Sequence, residues 1–141
     1  MSALDRFIEA QTGGVYERAL EELRDGSKRT HWMWFVFPQI AGLGRSETAR
    51  FYAIVDRREA SDYLEHPVLG YRLLEVTDLV REWAGRKSAE AIFGPIDAVK
   101  LRSSMTLFEK VSAKPDPFAA VLDGHYGGER DPATLRLLSA V

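Results

Sequence analysis

Cysteine is absent from the 141 residues, which removes disulfides, thiol nucleophiles and thiolate metal sites together. Long apolar runs are absent as well. The longest is Trp32–Phe37, far short of the roughly 20 residues a membrane helix needs. The opening MSALDRFIEAQ carries acids early and has no basic start followed by an apolar stretch, so no secretory signal is expected and the default location is cytoplasmic. An excess of positive charge is also missing. A net charge of −2 disfavours a general nucleic-acid binder. There is no internal repeat, linker or low-complexity tract, so residues 1–141 are read as one globular domain.

What is present suits a folded domain: 45% hydrophobic and 28% charged residues, with enough chain to enclose a core. Charge is unevenly spread. From Arg24 to Arg58, seven bases against three acids leave +4, so the rest of the chain carries −6. Such a segment is compatible with an anion site or with a plain solvated face.

Helix signals dominate. Ser2 precedes Leu4, Phe7 and Ile8, and Val15, Tyr16, Ala19, Leu20 and Leu23 repeat at helical spacing up to Asp25-Gly26. Ser46 heads a further segment. After His66-Pro67, the stripe Leu69, Leu73, Val76, Val80 and Trp83 faces away from Glu75, Asp78, Arg81 and Glu82. Asp116-Pro117 and Asp131-Pro132 read as a cap followed by proline at the first helical position. The expected fold is mainly α, one compact domain of about seven or eight short helices. Within HWMWFVF the aromatics favour a strand, yet both alternating faces are apolar and no partner strand is evident. Thr30 as cap and Pro38 as stop make a short buried helix the preferred reading.

Four groups of residues are candidates for chemistry. On a helical projection of IDAVKLRSSMTLFEKV, Asp97, Lys100 and Ser104 share a sector with Leu101, Met105, Phe108 and Val111, while Arg102, Ser103, Thr106, Glu109 and Lys110 take the far face. A lysine on an inward face must be paired or lose its charge. Asp97 and Lys100 are therefore either a cap and a snorkelling side chain, or the acid and cation of a site to which Ser104 adds a hydrogen bond. The second group is Gly42, Gly44 and Arg45 in GLGRS, either a plain turn or a backbone anion cradle with a guanidinium fork. The third is the histidines, with His31 at the rim of the aromatic segment, His66 at a helix boundary and His125 in a Gly-flanked flexible stretch. Their spacing fits no zinc motif, so no metal or other cofactor is expected. Fourth, Trp34 could stack on a ring while Gln39 reads a polar edge.

The strings HWMWFVFPQ, GLGRS, EASDYLEHPVLGYRL, IFGPIDAVKLRSSMTLF and DPATL resemble the bacterial family known as domain of unknown function 1810, from Phe7 to about Leu138. The resemblance implies a single cytoplasmic, mainly helical domain without an established activity. Members often carry the label calpastatin. That inhibitor is long, repetitive and disordered, which this composition contradicts. A fainter likeness, in Asp97, Lys100 and Met105, is to the NADAR-type N-glycosidases.

Two readings of function follow. In the first, His31, Trp34, Gln39, Gly42, Gly44, Arg45, Lys100 and Ser104 assemble a pocket for a phosphorylated or nucleotide-like small molecule. Lys100 and Arg45 would hold phosphate. If the protein is an enzyme, Asp97 or Glu59 would assist water in cleaving an N-glycosidic bond of an ADP-ribose-type substrate, with Lys100 as anion or oxyanion partner. In the second, the aromatic segment or the Arg57-Arg58 face binds a protein partner or a second copy, without catalysis.

Overall fold

The computed structural model describes residues 2–140. The helix on which the others depend is α8 (Pro95–Val111), since it packs against α5 (Arg57–Glu65), α7 (Ala89–Phe93), α9 (Asp116–Tyr126) and α10 (Pro132–Ala140). Gly94 turns the chain at φ 84° and Pro95 opens the helix, where its fixed φ suits the first turn and its missing N–H costs nothing. Leu101, Met105, Leu107 and Phe108 are fully buried, and so are Ser103, Ser104 and Thr106. The far face expected for Ser103 and Thr106 is thus a second buried face, covered by Asp131 and the start of α10. Polar groups are tolerated there because they are paired. The Ser103 hydroxyl donates to Asp131 Oδ2 at 3.2 Å, and Thr106 Oγ1 donates to the Arg102 carbonyl while accepting from Asp131 N–H.

Around this axis, α6 (Leu69–Glu82) packs on α2 (Val15–Arg24), α5 and α9, and α1 (Asp5–Ala10) meets α3 (Met33–Val36). With α4 (Glu47–Phe51) the described residues hold ten helices, somewhat more than expected. The extra ones are short, and a helix of four or five residues shows no apolar repeat. No named strand occurs among the described residues; one isolated parallel bridge joins Ile40 and Ile54. A series of aromatic contacts, Phe7 to Tyr63, Tyr63 to Phe108 and Phe108 to Phe118, runs through the shared core with centroids 5.1–6.0 Å apart. Among the described residues no helix is long and apolar enough to cross a membrane.

Two caps differ from expectation. Asp116 lies inside α9 rather than before it, and Thr30 does not cap α3, whose preceding residue is Trp32. Asp131 does cap α10, accepting from the N–H and hydroxyl of Thr134 at 3.0 and 2.6 Å.

The aromatic segment is largely core, and it is helical for one turn, Met33–Val36. Trp32, Met33, Phe35, Val36 and Phe37 are buried, and Trp32, Phe37 and Phe93 form a triangle of rings. Its placement is set by a carboxylate. Buried Glu22 on α2 accepts from Arg29 N–H (2.8 Å), Thr30 N–H (3.0 Å), the Thr30 hydroxyl (2.7 Å) and the Trp32 indole (3.0 Å). The other end of α3 is held by Gln11, whose amide donates to the Phe35 carbonyl at 2.8 Å and whose oxygen accepts from Arg72. Arg72 in turn stacks on Tyr16. The Tyr16 hydroxyl, pushed well above its usual range by burial and by its bond to Glu75, stays protonated and donates to that carboxylate.

Burial alone would raise the Glu22 pKa, but its four donors outweigh burial and bring it from 4.5 down to about 2. A depressed acid stabilises the fold above its unfolded pKa, and that contribution fades as pH falls from about 4.5 toward 2. It amounts to at most about 3 kcal/mol. Glu22→Gln is therefore expected to lose about 2–3 kcal/mol at pH 7. Urea unfolding should show the gap to the parent narrowing steadily below pH 4.5; a gap independent of pH would contradict this role.

Candidate functional site

Beyond α3 the chain makes a closed excursion. The Ile54 N–H donates to the Gln39 carbonyl and the Ala41 N–H to the Ile54 carbonyl, both at 2.8 Å, so residues 39–54 form a loop with a fixed base. Within it the GLGRS glycines are explained by packing. Gly42 adopts φ +106° beside the Leu137 side chain, and a Cβ on Gly44 would lie 2.4 Å from that of Ala49. The Ser46 hydroxyl accepts from Ala49 N–H and caps α4, which is only five residues long. The anion-cradle reading of this turn accordingly loses its helix, and Arg45 remains as its charge.

That loop faces the first turns of α8 across a cleft of about 670 Å³. Its walls are chiefly apolar: Trp34 from α3, Leu43 and Ala49 from the loop and α4, Pro95, Ile96 and Val99 from α8, and Ala133 from α10. The polar lining is Gln39, Arg45, Ser46, Lys100, Ser103 and Asp131. Ile96 and Val99 are 71% and 58% exposed, so the mouth presents apolar surface to water, as ligand grooves do. The Lys100 ammonium lies 5.0 Å over the Trp34 ring and 3.4 Å from Asp97 Oδ1, a cation–π contact combined with an ion pair. Arg45 is exposed and has no ion pair or hydrogen bond among the described residues. Asp131 is already committed. Its Oδ2 accepts from Ser103 and twice from Thr134, and its Oδ1 faces Arg102 at 3.4 Å.

A second cavity of about 370 Å³ adjoins the first and shares Trp34, Pro95, Ile96 and Lys100 with it; Lys28, His31, Met33, Phe93, Gly94 and Asp97 complete its lining. Lys28 is the better-buried lysine. It reaches Asp97 Oδ2 at 2.9 Å, donates to the Thr30 carbonyl at 2.6 Å and lies 5.0 Å over the Trp32 ring. One carboxylate thus sits between two ammonium groups.

Trp34, Gln39, Gly44, Arg45 and Lys100 therefore line the larger cavity, and His31 and Asp97 the smaller. Gly42 and Ser104 line neither. Gly42 packs against Leu137, and the Ser104 hydroxyl is buried without a partner among the described residues. Ser103 holds the groove position instead. Glu59 is engaged elsewhere, in a 3.0 Å ion pair with Arg6 and a bond from Val55 N–H. His125, expected in a flexible stretch, lies in the last turn of α9 with Nε2 2.8 Å from the Val80 carbonyl. His66 does serve a helix boundary, its Nδ1 accepting from the Val68 and Leu69 N–H groups. Sequence reasoning did not single out Lys28, Ser103 or the groove role of Asp131. The Asp131-Pro132 cap signal located that residue, but nothing local tied it to the cleft. Among the described residues no group of three or more His, Asp or Glu side chains could hold a metal ion.

The sequence model of a family described as "Protein of unknown function (DUF1810)" matches residues 1–138. Among solved structures, the crystal structure of the conserved hypothetical protein Rv1873 from Mycobacterium tuberculosis is similar, with 51% sequence identity and a TM-score of 0.94. The match covers 98% of this chain and 97% of that one. No curated protein matches.

The two lysines should separate on substitution. Lys28→Met removes a buried ammonium with three partners and is expected to cost about 2 kcal/mol or more. Lys100→Met removes a partly exposed pair and should change stability by less than about 1 kcal/mol. Urea denaturation of both variants checks this; equal losses would mean that Lys100 too is a structural residue.

Proposed function

The chain belongs to the DUF1810 family, and we propose that its groove is a binding site for an anionic small molecule, phosphorylated or nucleotide-like. The observation that carries this reading is the mismatch of charge within an apolar cleft. Lys100 and Arg45 line the larger cavity, while its one carboxylate, Asp131, has its lone pairs taken by Ser103, Thr134 and Arg102. An unneutralised guanidinium beside apolar walls is suited to a phosphate or carboxylate attached to a flat or apolar body. Gln39 and Ser103 add neutral hydrogen-bonding groups for orientation.

A hydrolytic reading, cleavage of an N-glycosidic bond in an ADP-ribose-type molecule, rests on Asp97. Both oxygens of this carboxylate are engaged, by Lys28 and by Lys100, so its charge is already balanced and the hydrolytic reading has less support than binding alone. Docking of a protein partner on the aromatic segment has less support. All of its large side chains except Trp34 are buried.

Thermal unfolding in the presence of inorganic phosphate, pyrophosphate, AMP, ADP, ADP-ribose and ribose 5-phosphate tests the binding reading, with mass spectrometry of each mixture to detect cleavage. A ligand present at a hundred times its Kd adds about 2.7 kcal/mol, a rise of roughly 5–10 °C in Tm. At least one phosphate-bearing compound is expected to raise Tm, and Arg45→Ala should abolish the rise without lowering the unliganded Tm. No response across the whole panel would overturn the proposal.

A further inference from the structure

The two cavities are lobes of one groove, since four residues belong to both, and Lys100 is the only charged one among them. The lobes differ in chemistry. The larger is walled by Leu43, Ala49, Val99 and Ala133 and suits a flat ring system. The smaller brings together Lys28, His31 and Asp97. Its carboxylate can accept from hydroxyl groups, and His31 is exposed at its edge. Each lobe carries one more cationic than acidic side chain: Arg45 and Lys100 against Asp131 in one, Lys28 and Lys100 against Asp97 in the other. Lys100 is common to both, so the joined groove holds Arg45, Lys100 and Lys28 against Asp131 and Asp97.

Resting on the binding role proposed above, the geometry points to a two-unit ligand, a nucleoside diphosphate sugar. Its base lies in the larger lobe, its diphosphate at Lys100 and Arg45, and its sugar in the smaller lobe against His31 and Asp97. The volumes agree with this division. The larger lobe, at about 670 Å³, is in the usual range for a small-molecule site, while the smaller, at about 370 Å³, lies near the bottom of it. A ligand occupying only the larger lobe would leave exposed His31 without a contact. It would also leave the shared position of Lys100 without consequence.

Calorimetric titration with two matched pairs, ADP with ADP-ribose and UDP with UDP-glucose, separates the possibilities. The inference predicts that in at least one pair the sugar form binds about tenfold or more tightly than the diphosphate alone. His31→Trp, which fills the edge of the smaller lobe from an exposed position, should remove that advantage while leaving binding of the diphosphate within about twofold. Val99→Glu, also at an exposed position, should weaken both members of the pair by about tenfold. If the members of each pair bind alike, or if His31→Trp weakens both equally, the two-lobe assignment is overturned while the binding role of the larger cavity stands. If none of the four binds while a simpler phosphate compound raises Tm, the assignment alone falls. If nothing phosphorylated binds, both fall.

Discussion

The Glu22 carboxylate is the constraint on which the groove depends. Four donors from the chain between Arg29 and Trp32 converge on it. They fix where α3 begins and in which direction the next residues run. Everything on the cleft's aromatic side follows from that start. Trp32 is anchored in the core, Trp34 is left half-buried over the groove, and Lys28 is held close enough to α8 to meet Asp97. Gln11, held by Arg72, fixes the far end through the Phe35 carbonyl. A four-residue helix has little stability of its own, so these two side chains do for α3 what length does for α8.

The second half of the groove is built on a different principle. α8 is buried around most of its circumference from Leu101 to Phe108, and this packed stretch carries the more open first turns with it. Pro95, Ile96 and Val99 therefore keep their positions even though Ile96 and Val99 are open to water. Between these rigid parts the loop from Gln39 to Ile54 is closed by two backbone hydrogen bonds, which bring Arg45 across from Lys100. Apolar walls, paired acids and one unpaired guanidinium result. On the binding role proposed for the groove, these parts already stand in place before any ligand arrives, and preorganisation of this kind lowers the entropic cost of binding.

Much of this was legible in the sequence. Helical periodicity located α2 and α6, and the proline openings placed α9 and α10 to within a residue. Apolar residues on both faces argued that HWMWFVF lies inside the protein. The polar ends of that segment, His31 and Gln39, do line the two cavities. What could not be read shares one cause. A helical projection assumes one buried and one exposed face, and α8 has burial nearly all round. The projection therefore groups Asp97, Lys100 and Ser104, although Ser104 reaches neither cavity and Ser103, on the far face of that projection, lines the larger one. Lys28 meets Asp97 through the fold alone, and no local pattern announces a contact between such distant positions. The glycines of GLGRS suggested a ligand cradle, whereas contacts with Leu137 and Ala49 account for them.

The three tryptophans offer a direct readout of the account. The Trp32 indole N–H is bound to Glu22 and that of Trp83 to the Leu23 carbonyl, whereas Trp34 lines both lobes. In a nitrogen–proton NMR titration with the phosphate compound that most raises Tm, assigned with Trp34→Phe, the Trp34 indole resonance should shift with saturation. The Trp32 and Trp83 resonances should stay in place. Shifts confined to Trp32 or Trp83, or saturation without movement of Trp34, would contradict a ligand site in this groove.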